Sequence, residues 1–285
     1  MVPRRRGAFL SQGDLGILSW LGVGWLRILF IGDVVGRPGR EIVAHLVPLL
    51  RERERPDIVI ANGENAAGGK GITPETGEEL LNTGIDLLTL GNHAWAKREA
   101  NDYLEIESRV IRPLNYPGRP PGRGLAVVTT RNGQEVAVIS LCGRVFLDVY
   151  VDCPFRAALN AVEELGGRTP FVLVDFHAEA TSEKAALAHY LDGRVSAVIG
   201  THTHVQTADE RILPRGAAFI TDVGMTGPVN SIIGVERDQA IRRFLTQLPT
   251  RLEVAPPPSR LEGVVIDLDD RTGLAIGIQR LREEE

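Results

Sequence analysis

Two histidines, His202 and His204, follow the apolar run Ala197-Val198-Ile199 in the stretch Ser-Ala-Val-Ile-Gly-Thr-His-Thr-His-Val-Gln (residues 196–206). The run reads as a buried strand and Gly200 as its end, and extended backbone beyond it carries both imidazoles on one side. That spacing suits a metal, although ordinary loop histidines have the same look. Four other apolar runs end in ligand-type residues: Gly32-Asp33 after 27–31, Gly63-Glu64-Asn65 after 56–60, Gly91-Asn92-His93 after 85–90, and His177 closing 171–177. Each alone has a plain explanation; Asp33, for one, reads as a helix cap or turn residue. Together they gather carboxylates, amide oxygens and imidazoles at strand ends, a nitrogen and oxygen donor set suited to divalent cations.

Positioning such a set requires a sheet whose strands end along one edge. The first third alternates short apolar strands with helical patterns, at 40–53 and from near Pro74, and so predicts parallel strands. The glycine-rich loop at 66–73 lacks the Lys-Ser/Thr pair of a nucleotide-binding P-loop. Further on, 125–130 and 135–141 flank Asn132-Gly133 as a hairpin, 217–221 is another strand, and 263–267 with 274–279 forms a closing hairpin. The parallel strands and the later hairpins predict an α/β fold, a two-sheet sandwich flanked by helices, with the hairpins in a second, mixed sheet. This is expected as one domain over 26–285, with 1–25 a disordered extension or an overcalled translation start and Arg282-Glu283-Glu284-Glu285 a solvated tail. Arg4, Arg5 and Arg6 precede apolar residues, but 11–14 break the first run and Arg27 interrupts the second, so neither a signal peptide nor a membrane span is expected.

The chain has 285 residues, 43% of them hydrophobic, with a net charge of -5, so no global positive field gathers long nucleic acid non-specifically. A small anionic substrate stays compatible, because a bound cation dominates its local field. Cys142 and Cys153 make no disulfide framework, and a cytoplasmic location is expected. A homo-oligomer is allowed.

The ordered motifs Gly-Asp33, Gly63-Glu64-Asn65, Gly91-Asn92-His93, His177 and Gly200-Thr201-His202-Thr203-His204 resemble those of calcineurin-like metallophosphoesterases. Longer strings, Gly32-Asp33-Val34-Val35-Gly36-Arg37-Pro38-Gly39, the run from Asp175 to Lys184, and Thr221-Asp222-Val223-Gly224-Met225-Thr226-Gly227-Pro228, resemble a narrower bacterial branch, the YmdB-like phosphodiesterases. The usual Asp-x-His opening of the superfamily is Asp33-Val34-Val35 here, and its usual bridging Asp is Glu64. The narrower branch shares these departures, with Asn65 in place of the missing histidine.

The resemblance implies a two-sheet fold and two metal ions, divalent or mixed-valence, with iron, manganese and magnesium all compatible. Asp33, Asn65 and His204 would hold one ion, Asn92, His177 and His202 the other, and Glu64 would bridge them. It further implies attack of metal-activated hydroxide on a phosphodiester or cyclic nucleotide, above all a 2',3'-cyclic one, with His93 as general acid. The sequence names no partner for His93. Alternatives are a phosphomonoesterase or phosphoprotein phosphatase, or a regulatory nucleotide-sensing protein with little turnover. Arg144, Phe146, Tyr150 and Trp95 are open between substrate contacts and packing; His45 and His189 read as plain helix residues.

Overall fold

A computed structural model describes residues 24–285. The extension expected at 1–25 lies, for 1–23, outside the described residues, whereas Trp25 opens the first strand. In chain order the first elements are β1 (Trp25–Ile31), β2 (Asp33–Val34), α1 (Gly36–Glu54), β3 (Ile58–Asn62), α2 (Pro74–Asn82), β4 (Leu87–Thr89), α3 (Ala100–Ile106) and β5 (Val110–Ile111). Next come β6 (Leu125–Thr129), β7 (Glu135–Cys142), α4 (Pro154–Leu165), β8 (Phe171–His177), α5 (Thr181–Leu191), β9 (Ala197–Thr201), β10 (Arg211–Ile212) and β11 (Ala218–Ile220). The last are β12 (Met225–Pro228), α6 (Arg237–Thr246), β13 (Ser259–Asp269) and β14 (Ala275–Glu284).

The expected two-sheet sandwich with flanking helices is the architecture. One sheet runs β2-β12-β13-β1-β3-β4-β5, with β14 added to β13; the other runs β10-β11-β9-β8-β7-β6. The inner faces meet through Ile28, Phe30 and Ile60 on one side and Val138, Leu173 and Ile199 on the other. Outside the first sheet, α1 lays down Ile42, Val43, Leu46, Val47 and Leu50, an apolar stripe of helical period. α2 starts where Pro74 predicted it, behind a Thr73 and Thr76 capping box. His45 and His189 are exposed helix residues.

Three expectations are corrected. The C-terminal hairpin joins the first sheet, with β13 antiparallel to β1 from Trp25↔Asp269 to Ile31↔Gly263. The reason is its burial: β13 covers α1 with Leu261 and Val265 and the inter-sheet core with Val264, Ile266 and Leu268, so only a central position satisfies both faces. The supposed tail is strand, since β14 runs to Glu284 and pairs Arg282 with Glu262 and Glu284 with Arg260. Finally, β9 does not stop at Gly200 but continues through it to Thr201. A Cβ at Gly200 would stand 1.8 Å from the Thr221 carbonyl oxygen, so glycine is what permits that approach.

Among the described residues, no helix is long and apolar enough to cross a membrane. Lys184 Nζ of α5 donates to Asp222 Oδ2 at 2.8 Å, and both side chains of this ion pair are fully buried. Asp222 also accepts from the Thr203 amide and hydroxyl and from the Gly224 amide, which fastens the loop after β9. Removing the cation alone leaves that carboxylate buried and uncompensated. Lys184→Met is therefore expected to cost about 3–5 kcal/mol in urea unfolding; a loss under about 1 kcal/mol would mean that water replaces the pair.

Candidate metal centre

The strands bearing the ligand-type residues end on one edge of the sandwich. β1 hands over to Asp33, β3 to Glu64 and Asn65, β4 to Asn92 and His93, β8 ends in His177, and β9 leads to His202 and His204. All seven residues expected around metal, and His93, are brought together there.

Contacts on the outer side orient each imidazole. His177 Nδ1 stands 2.9 Å from the Thr201 hydroxyl, which itself donates to Asp175 Oδ1 at 2.8 Å. The hydroxyl proton being committed, Nδ1 must carry the hydrogen and Nε2 the lone pair. His204 Nδ1 faces the Ile233 carbonyl at 3.0 Å, and His202 Nε2 faces Glu179 Oε2 at 3.1 Å; both outer atoms are acceptors, so both inner nitrogens are lone pairs.

The inner atoms crowd one another. Around His177 Nε2 lie His202 Nδ1 at 2.9 Å, Asn92 Oδ1 at 3.0 Å and Glu64 Oε1 at 3.0 Å. Four lone pairs at such range repel unless a cation stands among them. Adjacent ligands of an octahedral ion, each about 2.1 Å from it, are about 3.0 Å apart, so the set fits a metal. Among the described residues, Glu64, His177 and His202 form a group whose ligand atoms all lie within 4.8 Å of one another. Moreover, Asp33 Oδ1 and Glu64 Oε1 are buried without a hydrogen-bond partner, a state that costs about 1–3 kcal/mol or more per group when nothing offsets it.

The other group is looser. Asp33 Oδ1 lies 3.8 Å from His204 Nε2, and Asn65 turns Nδ2, not its oxygen, to His204 at 3.1 Å. Asn65 Oδ1 faces His93 Nδ1 at 3.0 Å; a half-turn of the amide exchanges the two atoms. His93 Nδ1 is also 3.1 Å from Glu64 Oε1, and its backbone N–H donates to Glu64 Oε2. These are the partners the sequence did not name.

The backbone after β9 differs from the extended form expected: His202 has φ 100° and His204 φ 63°. Such conformations cost non-glycine residues about 1–3 kcal/mol each and persist when surroundings impose them; here Asp222 grips Thr203 between them. Gly91 makes room for the cluster, since a Cβ there would stand 2.2 Å from Glu64 Oε2 and from His177 Cδ2.

Burial raises the Asp33 carboxyl. Burial also acts to raise Glu64, but His177 and His93 outweigh it and hold Glu64 well below the usual range. Burial acts to lower His177, yet Glu64, Asp33 and Asp175 push it up to about 9. His202 falls to about 3 through burial and the charge on His177. The carboxylates around His177 thus favour positive charge at that spot, which a metal ion would supply in place of a proton.

Sequence reasoning missed the outer partners Asp175, Thr201 and Glu179 and the clamp Lys184 and Asp222. All lie inside the motif strings, and Asp175 precedes His177 by two residues on the same strand face. The open residues divide. Trp95 packs edge-on against Tyr116, with ring centroids 5.6 Å apart, on the first-sheet core. Phe146 and Tyr150 instead stand out in solvent, 87% and 90% exposed, on the loop after β7. Cys142 and Cys153 are free thiols.

Two packed sheets with this constellation at their shared edge define the metallophosphoesterase class of α/β protein. The family model for YmdB-like proteins matches residues 29–281, and the chain belongs to that family. A 2',3'-cyclic-nucleotide 2'-phosphodiesterase of Bacillus subtilis strain 168 is 53% identical over 256 residues, 90% of this chain and 96% of that protein. A solved structure of a hypothetical protein from Thermus thermophilus aligns with TM-score 0.85 and 46% identity over 91% of this chain and 100% of its own. Another, described as a novel phosphatase from Mycoplasma pneumoniae, aligns with TM-score 0.86 and 34% identity over 92% and 95%.

Thr201→Val removes the hydroxyl that orients His177 without touching the inner cluster. Titration of metal-stripped protein with Mn²⁺ by calorimetry is expected to show affinity down about 10- to 100-fold; unchanged affinity would mean that packing alone holds the ring.

Proposed function

We propose that the protein is a metal-dependent phosphodiesterase that opens cyclic nucleotides, above all 2',3'-cyclic ones, to nucleoside monophosphates. The observation that carries the metal-dependent part is the ring of inward lone pairs from Asn92, His177, His202 and Glu64. The substrate class draws on the relative whose name states that activity.

In this reading Asn92, His177 and His202 would hold one ion, Asp33, Asn65 and His204 would hold a second, and Glu64 would serve both. Such an ion pair supplies charge stabilisation at phosphoryl oxygens and makes water a better nucleophile. Iron, manganese and magnesium all suit the mixed donors. The rest falls to the chain. Glu64 Oε2 accepts the His93 backbone N–H and Asn65 stands 3.0 Å from Nδ1, which together set the ring's place, and among the described residues Nε2 has no protein partner. Water adds to phosphorus and releases a proton to solvent, the bond to one ribose oxygen breaks, and His93 Nε2 gives that oxygen a proton that it then recovers from solvent. With a side chain 24% exposed, His93 stands at the solvent margin of a buried cluster, where a substrate reaches it. The free thiols fit a cytoplasmic protein.

A phosphomonoesterase is the second reading, favoured by the name given to the Mycoplasma pneumoniae structure. Comparing 2',3'-cyclic AMP with the monophosphates in the presence of Mn²⁺ separates the two. His93→Gln is expected to lower kcat on 2',3'-cyclic AMP about 100-fold or more. The loss should shrink on bis-p-nitrophenyl phosphate, whose leaving group needs little protonation. Equal losses on both substrates would sink the acid role, and no diester turnover with any divalent metal would sink the phosphodiesterase reading.

A further inference from the structure

β13 and β14 are apolar where they face the second sheet, with Val264, Ile266 and Ile278 in the inter-sheet core. At the end where the metal-type residues gather, the same face becomes charged. Alternation along a strand puts Arg260 and Glu262 in line with Val264, and Arg280 and Arg282 in line with Ile278. These four residues, with His204, Val205 and Gln206, line a cavity of about 420 Å³. The cavity thus lies beyond the apolar stretch of these strands, with His204 in its wall.

Cross-strand ion pairing is the ordinary explanation for such charges, and part of it holds. Arg260 Nε lies 3.0 Å from Glu262 Oε1, and Arg280 Nε lies 2.9 Å from Glu210 Oε1. Arg282 is held more loosely, 3.9 Å from Glu262 and 3.4 Å from Glu284, with 55% of its side chain exposed. An ion-pair ladder closes on itself, however, and needs no room. Here the arginines rim a space of ligand-site size, and each guanidinium carries five N–H donors, of which these pairs use few. Glu262 offers an anion little repulsion: Oε1 is taken by Arg260, Oε2 accepts the Met225 amide, and burial raises its carboxyl. Forked guanidinium donors beside a phosphoryl site match a second phosphate.

We propose that this cavity binds the phosphate adjacent to the scissile one, making short oligoribonucleotides ending in a 2',3'-cyclic phosphate the preferred substrate class. This rests on the phosphodiesterase reading above. The chemistry fits, because a ribose 2',3'-cyclic phosphate forms when a 2'-hydroxyl attacks its neighbouring phosphodiester and displaces the next nucleotide. The strand left behind carries its next phosphate on the 5' side. The class of reaction that supplies the substrate is therefore RNA cleavage by internal transesterification.

The test compares kcat/KM for adenosine 2',3'-cyclic phosphate, its 5'-phosphorylated form and a diadenosine ending in the cyclic phosphate, in wild type and in Arg280→Ala/Arg282→Ala. Wild type is expected to favour the two phosphate-bearing substrates about tenfold or more, chiefly through KM. In the double variant that ratio should fall to near one. No wild-type preference, or a preference that survives the substitutions, overturns the subsite; an equal loss on all three substrates marks the arginines as structural and overturns it too. Arg282→Gln alone, at the most exposed of the three arginines, covers failure of the double variant to fold and should lower the ratio at least severalfold. Failure of wild type on every substrate would strike the phosphodiesterase reading instead.

Discussion

A single buried carboxylate, Asp175, holds the arrangement together. It lies on β8 in the second sheet, yet it accepts from Asn62 Nδ2 on β3 and from the Thr89 hydroxyl on β4, both in the first, as well as from Thr201 on β9. An unpaired charge in that position would be ruinous. With three donors converging it becomes a rivet between sheets whose inner faces meet largely through hydrocarbon. Burial still lifts its pKa to about 6. Through Thr201 the same carboxylate sets the tautomer of His177, so the joint that aligns the sheets also aims the nitrogen at the centre of the cluster.

Two supports then act on the loop after β9. From below, Lys184 and Asp222 grip Thr203; from the side, Asp33 Oδ2 accepts the His202 amide. The histidines keep left-handed backbone conformations because neighbours on α5, on β2 and in the loop after β11 impose them. Rigid surroundings of this kind let lone pairs be held at about 3 Å from one another, which a pliable loop would relieve by opening.

The sequence carried the ligand-type residues plainly, because each follows a short buried run that ends at a glycine or polar turn. Local pattern also sufficed for α1, α2 and both hairpins. What it did not carry was pairing at long range. Alternation marked β13 and β14 as a hairpin without saying which sheet would take it, and the charges of the last residues read as solvated until cross-strand partners were known. Asp175, Thr201 and Asp222 escaped for the same reason: each is an ordinary polar residue until its donors arrive from other strands. The φ angles of His202 and His204 are imposed from outside their own segment, so no local rule reports them.

The central place of β13 bears on how the chain comes to be folded. β1 finds its antiparallel neighbour some 240 positions away, as the Arg27 to Asp267 pair shows. At about 5–20 residues per second of synthesis, roughly 12 to 48 s separate the two strands at the ribosome. Throughout that interval β1 has an open edge, a template for any passing strand. High contact order of this sort slows folding, and the edge closes only when nearly the last segment arrives. The half of the molecule that bears Asp33, Glu64, Asn65 and Asn92 is thus made first and enclosed last.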